Sequence, residues 1–319
     1  RTLEEKVKGA IFEELLNYRR AGDAGRVYSR RIRDRICELS RQLAGAEDTE
    51  AFTKCMIDFY GEFGGGKYGL HKAFRIEHKK GGASIVPISR IADVQLEDLV
   101  GYENAKKKLI DNTEAFVQGR HANNCLLFGD AGTGKSSSIK GILNRYYSQG
   151  LRMIELYKHQ FQDLNDVIAQ IKNRNYRFIL YMDDLSFEAF ETDYKYLKAV
   201  IEGGLEKKPE NVLIYATSNR RHLIRERFSD NEERDEDIHT NDTVQEKLSL
   251  VMRFGVTIYF GAPDKKQFQN IVDALARRWG IDMPREELFL EANKWELSHG
   301  GLSGRTAVQF IDYLLGQKK

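Results

Sequence analysis

The run Gly129-Asp130-Ala131-Gly132-Thr133-Gly134-Lys135-Ser136 fits the pattern GxxxxGK[ST] in full, and Ser137 follows it. The chemistry such a run offers is phosphate binding. Its glycines let successive backbone N–H groups turn inward around an anion, and a helix starting at the lysine adds the positive end of its dipole. Lys135 is expected to reach the β- and γ-phosphates of a nucleoside triphosphate, and the Ser136 hydroxyl to ligate Mg²⁺. An ordinary glycine-rich turn is the alternative. Position argues against it, because the run lies between an apolar stretch at 125–128 and a helical period from Lys135.

Further along, FILYM at 178–182 leads into Asp183 and Asp184. An apolar strand ending in two acids puts both carboxylates at its C-terminal end, where open α/β sheets bind ligand. Asp183 is the expected metal acid beside Ser136, and Asp184 the expected general base for the attacking water. Alone the pattern is weak, since acids at a helix N-terminus look the same; the phosphate loop upstream gives it weight. Asp184 is also one methylene shorter than a glutamate base. On the next apolar run, Tyr215-Ala216-Thr217-Ser218-Asn219 ends in polar residues at the same sheet edge. Asn219 is a candidate for orienting that water, because an amide donates and accepts at once. A loop asparagine in a turn is the alternative.

These residues need a sheet to hold them. Near-continuous apolar runs at 124–128, 152–156, 178–182, 212–216 and 256–260 read as strands buried on both faces of a parallel α/β sheet. Helical periods lie between them, at 135–149, 163–174, 189–205 and 242–253, and only helices follow, near 265–279, 285–298 and 304–315. Before residue 95 the pattern differs. Leu3, Val7, Ile11, Leu15 and Tyr18 mark an amphipathic helix, with further helices at 27–43 and 49–63. Phe74, Ile76 and His78 alternate with Arg75 and Glu77, then Ile85, Val86 and Ile88 follow Gly81-Gly82, which reads as a hairpin. The expected division is a mainly helical N-terminal domain with a small hairpin at 1–94, an α/β nucleotide-binding domain at 95–261 and a helical lid at 262–319.

Composition narrows the class. The 319 residues carry 31% charged side chains, a net charge of +2, and only 4 Pro, which excludes a disordered, linker-dominated chain. Cys37, Cys55 and Cys125 form no CxxC pair, so neither a disulfide framework nor a zinc site is indicated. No apolar run approaches the ~18 residues of a membrane span, and no signal-peptide pattern stands near the start. The chain opens on Arg1 rather than Met, which leaves residues upstream open. A cytoplasmic protein without membrane contact is expected. Nucleic acid is left open: seven arginines fall between 19 and 35, but a solvated helix face or an intersubunit surface accounts for them as well. The arginines at 220, 221, 225 and 227 carry the same ambiguity. The seven acids between 229 and 242 read as a solvated loop.

Taken in order, these elements resemble the AAA+ superfamily of P-loop ATPases. Residues from about 95 to 316 are similar to a bacterial family of predicted AAA+ ATPases known as a domain of unknown function. The shared phrases are DLVGYE at 98–103, LLFGDAGTGKS, MDDLSFE, LIYATSNRRHLI, QEKLSLVMRFG and GLSGRTAVQFID. The Asp-Asp and TSN pair is also similar to helicase loaders. The resemblance implies a five-stranded parallel core with a C-terminal helical lid, and ATP and Mg²⁺ as cofactors. It further implies Val100, in the segment Leu99-Val100-Gly101-Tyr102 packing near the adenine; Arg253, an arginine finger reaching a neighbouring subunit's γ-phosphate; and Arg305, a lid arginine presented by Ser303 and Gly304. A surface arginine capping its helix is the alternative for Arg253. The function implied is that of an oligomeric ATPase remodelling an unknown partner, set against an ATP-dependent nucleic-acid loader and an ATP-binding switch with little turnover. No aromatic-x-Gly tripeptide follows the second strand, which disfavours a threading unfoldase.

Overall fold

The computed structural model describes residues 30–63, 66–79, 82–187, 194–202, 209–219 and 250–317. The helix expected from Leu3 to Tyr18, the side chains of the arginine run, the arginines at 220–227, the acidic stretch and most of the helix at 242–253 lie outside them. The chain forms two compact units, Arg1–Gly45 and Ala46–Lys319. The first contributes helix α1 (Arg30–Ala44).

In the second unit, α2 (Thr49–Phe63) and the short α3 (Gly66–Leu70) precede seven strands: β1 (Ala73–Lys79), β2 (Gly82–Pro87), β3 (Cys125–Gly129), β4 (Leu151–Glu155), β5 (Arg177–Met182), β6 (Val212–Ser218) and β7 (Val256–Phe260). Between them run α4 (Glu103–Val117), α5 (Lys135–Tyr146), α6 (Leu164–Ile171) and α7 (Tyr194–Glu202). Three helices close the chain: α8 (Lys265–Arg278), α9 (Arg285–Ser298) and α10 (Gly304–Gln317). The sheet order is β2-β1-β4-β5-β6-β3-β7. The five apolar runs form its five-stranded parallel core, as the AAA+ resemblance implied.

Alternation along each strand builds two cores, one per sheet face. Phe178, Leu180 and Met182 of β5 join Val212, Ile214 and Ala216 of β6 beneath α6 and α7. Ile179, Tyr181, Leu213 and Tyr215 face the other way, with Cys125 and Leu127, against α4 and α5. The central strands are apolar at nearly every position because helices cover both faces. A third core, around Phe268, Val272, Ala292 and Phe310, holds the three lid helices together.

Two expectations change. The hairpin does not stand apart: β1 pairs in parallel with β4 (Phe74 opposite Ile154) while β2 pairs antiparallel with β1 (Ile85 opposite Ile76), so the sheet has seven strands. Phe74 and Ile76 are buried in the same core as Ile154 and Phe178, and that shared burial draws the hairpin to the open edge of β4. The run at 256–260 is not covered on both faces. At the opposite edge, Ile258 and Phe260 are buried while Tyr259 is 60% exposed.

Candidate nucleotide-binding site

The phosphate loop leaves the C-terminal end of β3 and enters α5 at Lys135. The Lys135 side chain is buried and folded back, Nζ donating to Gly129 O at 2.9 Å and Asp130 O at 2.6 Å. Burial lowers its pKa from the usual lysine value, opposed by Asp130, Asp184 and Asp183 and reinforced by Arg305. Gly132 has φ +75°, and a Cβ there would meet Ser303 Oγ at 2.9 Å. That close approach lets the lid dock on the loop: Arg305 N donates to Gly132 O at 3.2 Å. Ser303 Oγ caps α10 by accepting from Thr306 N at 3.1 Å, which fixes the start of the helix that carries Arg305.

The two acids stand at the end of β5, and β6 lies between β5 and β3, so its C-terminus is wedged between acids and phosphate loop. Asp183 Oδ1 accepts from Ser136 Oγ at 2.7 Å and from Thr217 Oγ1 at 2.6 Å. Burial alone would raise the Asp183 carboxyl. The hydroxyls of Thr217, Tyr181 and Ser136, with Lys140, outweigh it and hold the group below the usual carboxylate range. Asp184 takes a left-handed backbone, φ 51°, which costs a non-glycine residue conformational energy. Its N–H donates to Thr217 Oγ1 at 2.9 Å, and its Oδ1 accepts from Asn219 Nδ2 at 2.7 Å. The turn therefore splits the two carboxylates, one towards Ser136 and the other towards Asn219.

A cavity of about 590 Å³ opens over these groups, within the range of small-molecule sites. Val100, Ala131, Gly132, Thr133, Gly134, Lys135, Ser136, Ser137, Asp183, Asp184, Asn219 and Arg305 all line it. Leu99, Val100, Ile271, Leu275 and Val308 supply apolar wall from the segment before α4 and from the lid. Three sequence candidates are not in the lining. Gly129 backs onto β7, and the Asp130 carboxylate turns away to accept from Ala262 N at 2.7 Å. Arg253 precedes β7, whose Phe260 lies level with Gly129, so it sits a strand's length, roughly 15 Å, from the loop. Arg253 is not among the residues that line the cavity of its own chain.

The donor set suits Mg²⁺ with a triphosphate. Mg²⁺ keeps several waters and is held by one or two carboxylates plus phosphate oxygens, and Asp183 and Ser136 converge beside the helix N-terminus that would take those phosphates. Thr217 and Tyr102 also line the cavity; Tyr102 belongs to the segment expected near the adenine, whereas Thr217 was assigned no role from the sequence. Thr217 carried a usable signal: it lies two residues before Asn219 on a strand, hence on the same face.

Likenesses to solved structures are spread over several proteins. A mutant of Thermotoga maritima RuvB aligns with TM-score 0.48 and 16% identity, covering 70% of this chain and 65% of that one. Caenorhabditis elegans PCH-2 aligns with TM-score 0.45 and 18% identity, again covering 70% and 65%. The Thermotoga maritima RuvB Holliday junction branch migration motor gives 0.41 and 14%, covering 69% and 71%. This chain thus spans less than two thirds of the first two. A search of curated proteins finds no match. The family model described as "Protein of unknown function (DUF815)" matches residues 69–318, a stretch holding all seven strands, the phosphate loop, both acids and the lid, and the chain belongs to that family.

Proposed function

We propose that this chain is an AAA+ ATPase that binds and hydrolyses MgATP, and that turnover drives remodelling of a macromolecular partner by an oligomer. The observation that carries the hydrolytic part is the Asn219–Asp184 hydrogen bond of 2.7 Å on the cavity wall, separate from the acid that faces Ser136. Two carboxylates in different surroundings support two roles. Lys135 and the loop N–H groups bind the phosphates, Ser136 and Asp183 hold the metal, and Asp184 accepts the proton of the attacking water. Asn219 fixes the Asp184 carboxylate, and Arg305 reaches the nucleotide from the lid. The bound Mg²⁺ supplies positive charge against the phosphate oxygens. The distance of Arg253 from its own loop supports a role on a neighbour's nucleotide, which makes the working form an oligomer. No described helix is long and apolar enough to cross a membrane, and a cytoplasmic location is part of the same proposal.

The Asn219 contact also favours a second reading, an ATP-binding switch with little turnover. An Asp184 oxygen that already accepts a hydrogen bond from Asn219 is engaged away from an attacking water. Phosphate release from MgATP decides between them. Turnover in the wild type, lost in Lys135→Ala and Asp184→Asn, supports the ATPase. ATP binding without release at any protein concentration supports the switch. Absence of ATP binding sinks both.

A further inference from the structure

We infer that Asp130 and Tyr102 are positioning residues that set the lid, and through it Arg305, by gripping one peptide group at the hinge. The group is the amide joining Gly261 to Ala262. Its carbonyl accepts from the Tyr102 hydroxyl at 2.8 Å, and its N–H donates to Asp130 Oδ2 at 2.7 Å. Tyr102 precedes α4 on the side of the cavity lined by Val100, and Asp130 is the second residue of the phosphate loop. Both flanks of the nucleotide cavity therefore hold opposite ends of one amide.

The surroundings leave that amide as the adjustable point. On its N-terminal side, β7 is locked to the loop: Asp130 N donates to Phe260 O at 3.0 Å, and a Cβ on Gly129 would overlap the Phe260 carbonyl. The Tyr102 ring packs 5.2 Å from that of Phe260. On its C-terminal side, Pro263 has a fixed φ. Asp264 then caps α8 reciprocally with Gln267, side chain to backbone at 2.7 and 2.9 Å. A rigid strand end and a rigid helix start are joined through the short segment Gly261-Ala262-Pro263, so the orientation of its gripped amide bears on the angle of the lid. The lid in turn seats Arg305 against Gly132.

This accounts for an acid in an anion-binding loop. A carboxylate beside the phosphates opposes their binding, yet Asp130 points it at the hinge N–H. Tyr102 remains a donor throughout the physiological range, its hydroxyl pushed up to about 12 by burial, then by Asp130 and Tyr259. Phosphates entering the loop and a base beside Val100 each press on one of the two grips, which makes the amide the place where occupancy is passed to the lid.

The inference rests on the reading of Arg305 as a nucleotide contact, and the test separates the two. Hydrogen exchange across 265–278 and 304–317 is followed in the full chain with and without MgATP, for wild type, Tyr102→Phe, Asp130→Ala and Asp130→Asn. Tyr102→Phe keeps the ring on Phe260, and Asp130→Asn keeps an acceptor oxygen. The expected result is that Tyr102→Phe and Asp130→Ala each reduce the nucleotide-linked protection of the lid about five- to tenfold, the scale of one lost hydrogen bond. Asp130→Asn should restore most of it. Asp130→Ala should at the same time tighten ATP binding, a combination that a purely electrostatic or purely stabilising role does not give. In turnover, kcat should fall in both, with KM little changed in Tyr102→Phe and lowered in Asp130→Ala, and neither variant should add to the loss in Arg305→Ala. Wild-type lid exchange in both hinge variants, or losses that multiply with Arg305→Ala, would overturn the inference. An unchanged rate in Arg305→Ala sinks the reading of Arg305 instead, while exchange still decides the clamp.

Discussion

The hydroxyl of Thr217 donates to Oδ1 of Asp183 across 2.6 Å. It also accepts the Asp184 N–H, so one buried side chain on β6 holds the Asp183 carboxylate and the turn that carries Asp184. Ser136 donates to the same Asp183 oxygen. Were Ser136 to ligate Mg²⁺, Thr217 would remain as the hydroxyl that anchors Asp183.

Thr217→Val, which removes the hydroxyl and keeps the shape, should therefore raise the Mg²⁺ concentration needed for tight ATP binding by about tenfold, the effect of one charge-assisted hydrogen bond. Thr217→Ser should restore it. Calorimetric titration of ATP at several Mg²⁺ concentrations measures this directly, and equal Mg²⁺ dependence in wild type and valine variant would remove Thr217 from the metal site.

The two acids should separate on mutation. Asp184→Asn is expected to keep ATP affinity within about threefold and to lose at least ~10²-fold in turnover, since a neutral amide cannot take the water's proton. Asp183→Asn should instead weaken the Mg²⁺ dependence of binding. Paired binding and phosphate-release measurements check both. Equal loss of affinity in the two variants would show that their roles are not divided.

Lys135→Ala should abolish MgATP binding while the fold survives, because the lysine and the loop N–H groups are the main counter-charge to the phosphates. Micromolar binding surviving in the variant would end the phosphate-loop reading. Lys135 also sets a pH dependence. Burial lowers its pKa in the free protein, and bound phosphates raise it again. Affinity should thus be level below the lowered value and fall as pH rises through it, with ATP binding taking up a proton there. Calorimetry in buffers of different ionisation enthalpy reads that proton.

Arg253 lies about a strand's length from its own chain's loop, and the proposed role is on a neighbour's nucleotide. Specific ATPase activity should rise with protein concentration. Arg253→Ala should retain ATP binding and lower the rate by about 10³-fold, the lower end of finger effects. Mixing Arg253→Ala with Lys135→Ala should recover part of the activity, by joining an intact cavity to an intact arginine. A rate independent of concentration, together with no recovery in the mixture, would exclude a trans finger.

Everything written in contiguous residues could be read without coordinates. The phosphate loop, the five core strands and the three lid helices depend on local spacing, and each appears within a few residues of its expected limits. The pair Asp183 and Asp184 followed from an apolar strand that had to end somewhere. The rest depended on pairings across the chain. The hairpin reads as a local unit, yet its place at the sheet edge is decided by β4, some eighty positions away. Covered and open faces of β7 look alike in an apolar run, and only its position at the sheet edge exposes Tyr259. Thr217 meets Asp183 across 34 positions, and Tyr102 meets Gly261 across 159. A hydrogen bond between residues so far apart leaves no periodic trace in either segment, because each hydroxyl is an ordinary strand or loop residue until the sheet order brings its partner within 3 Å.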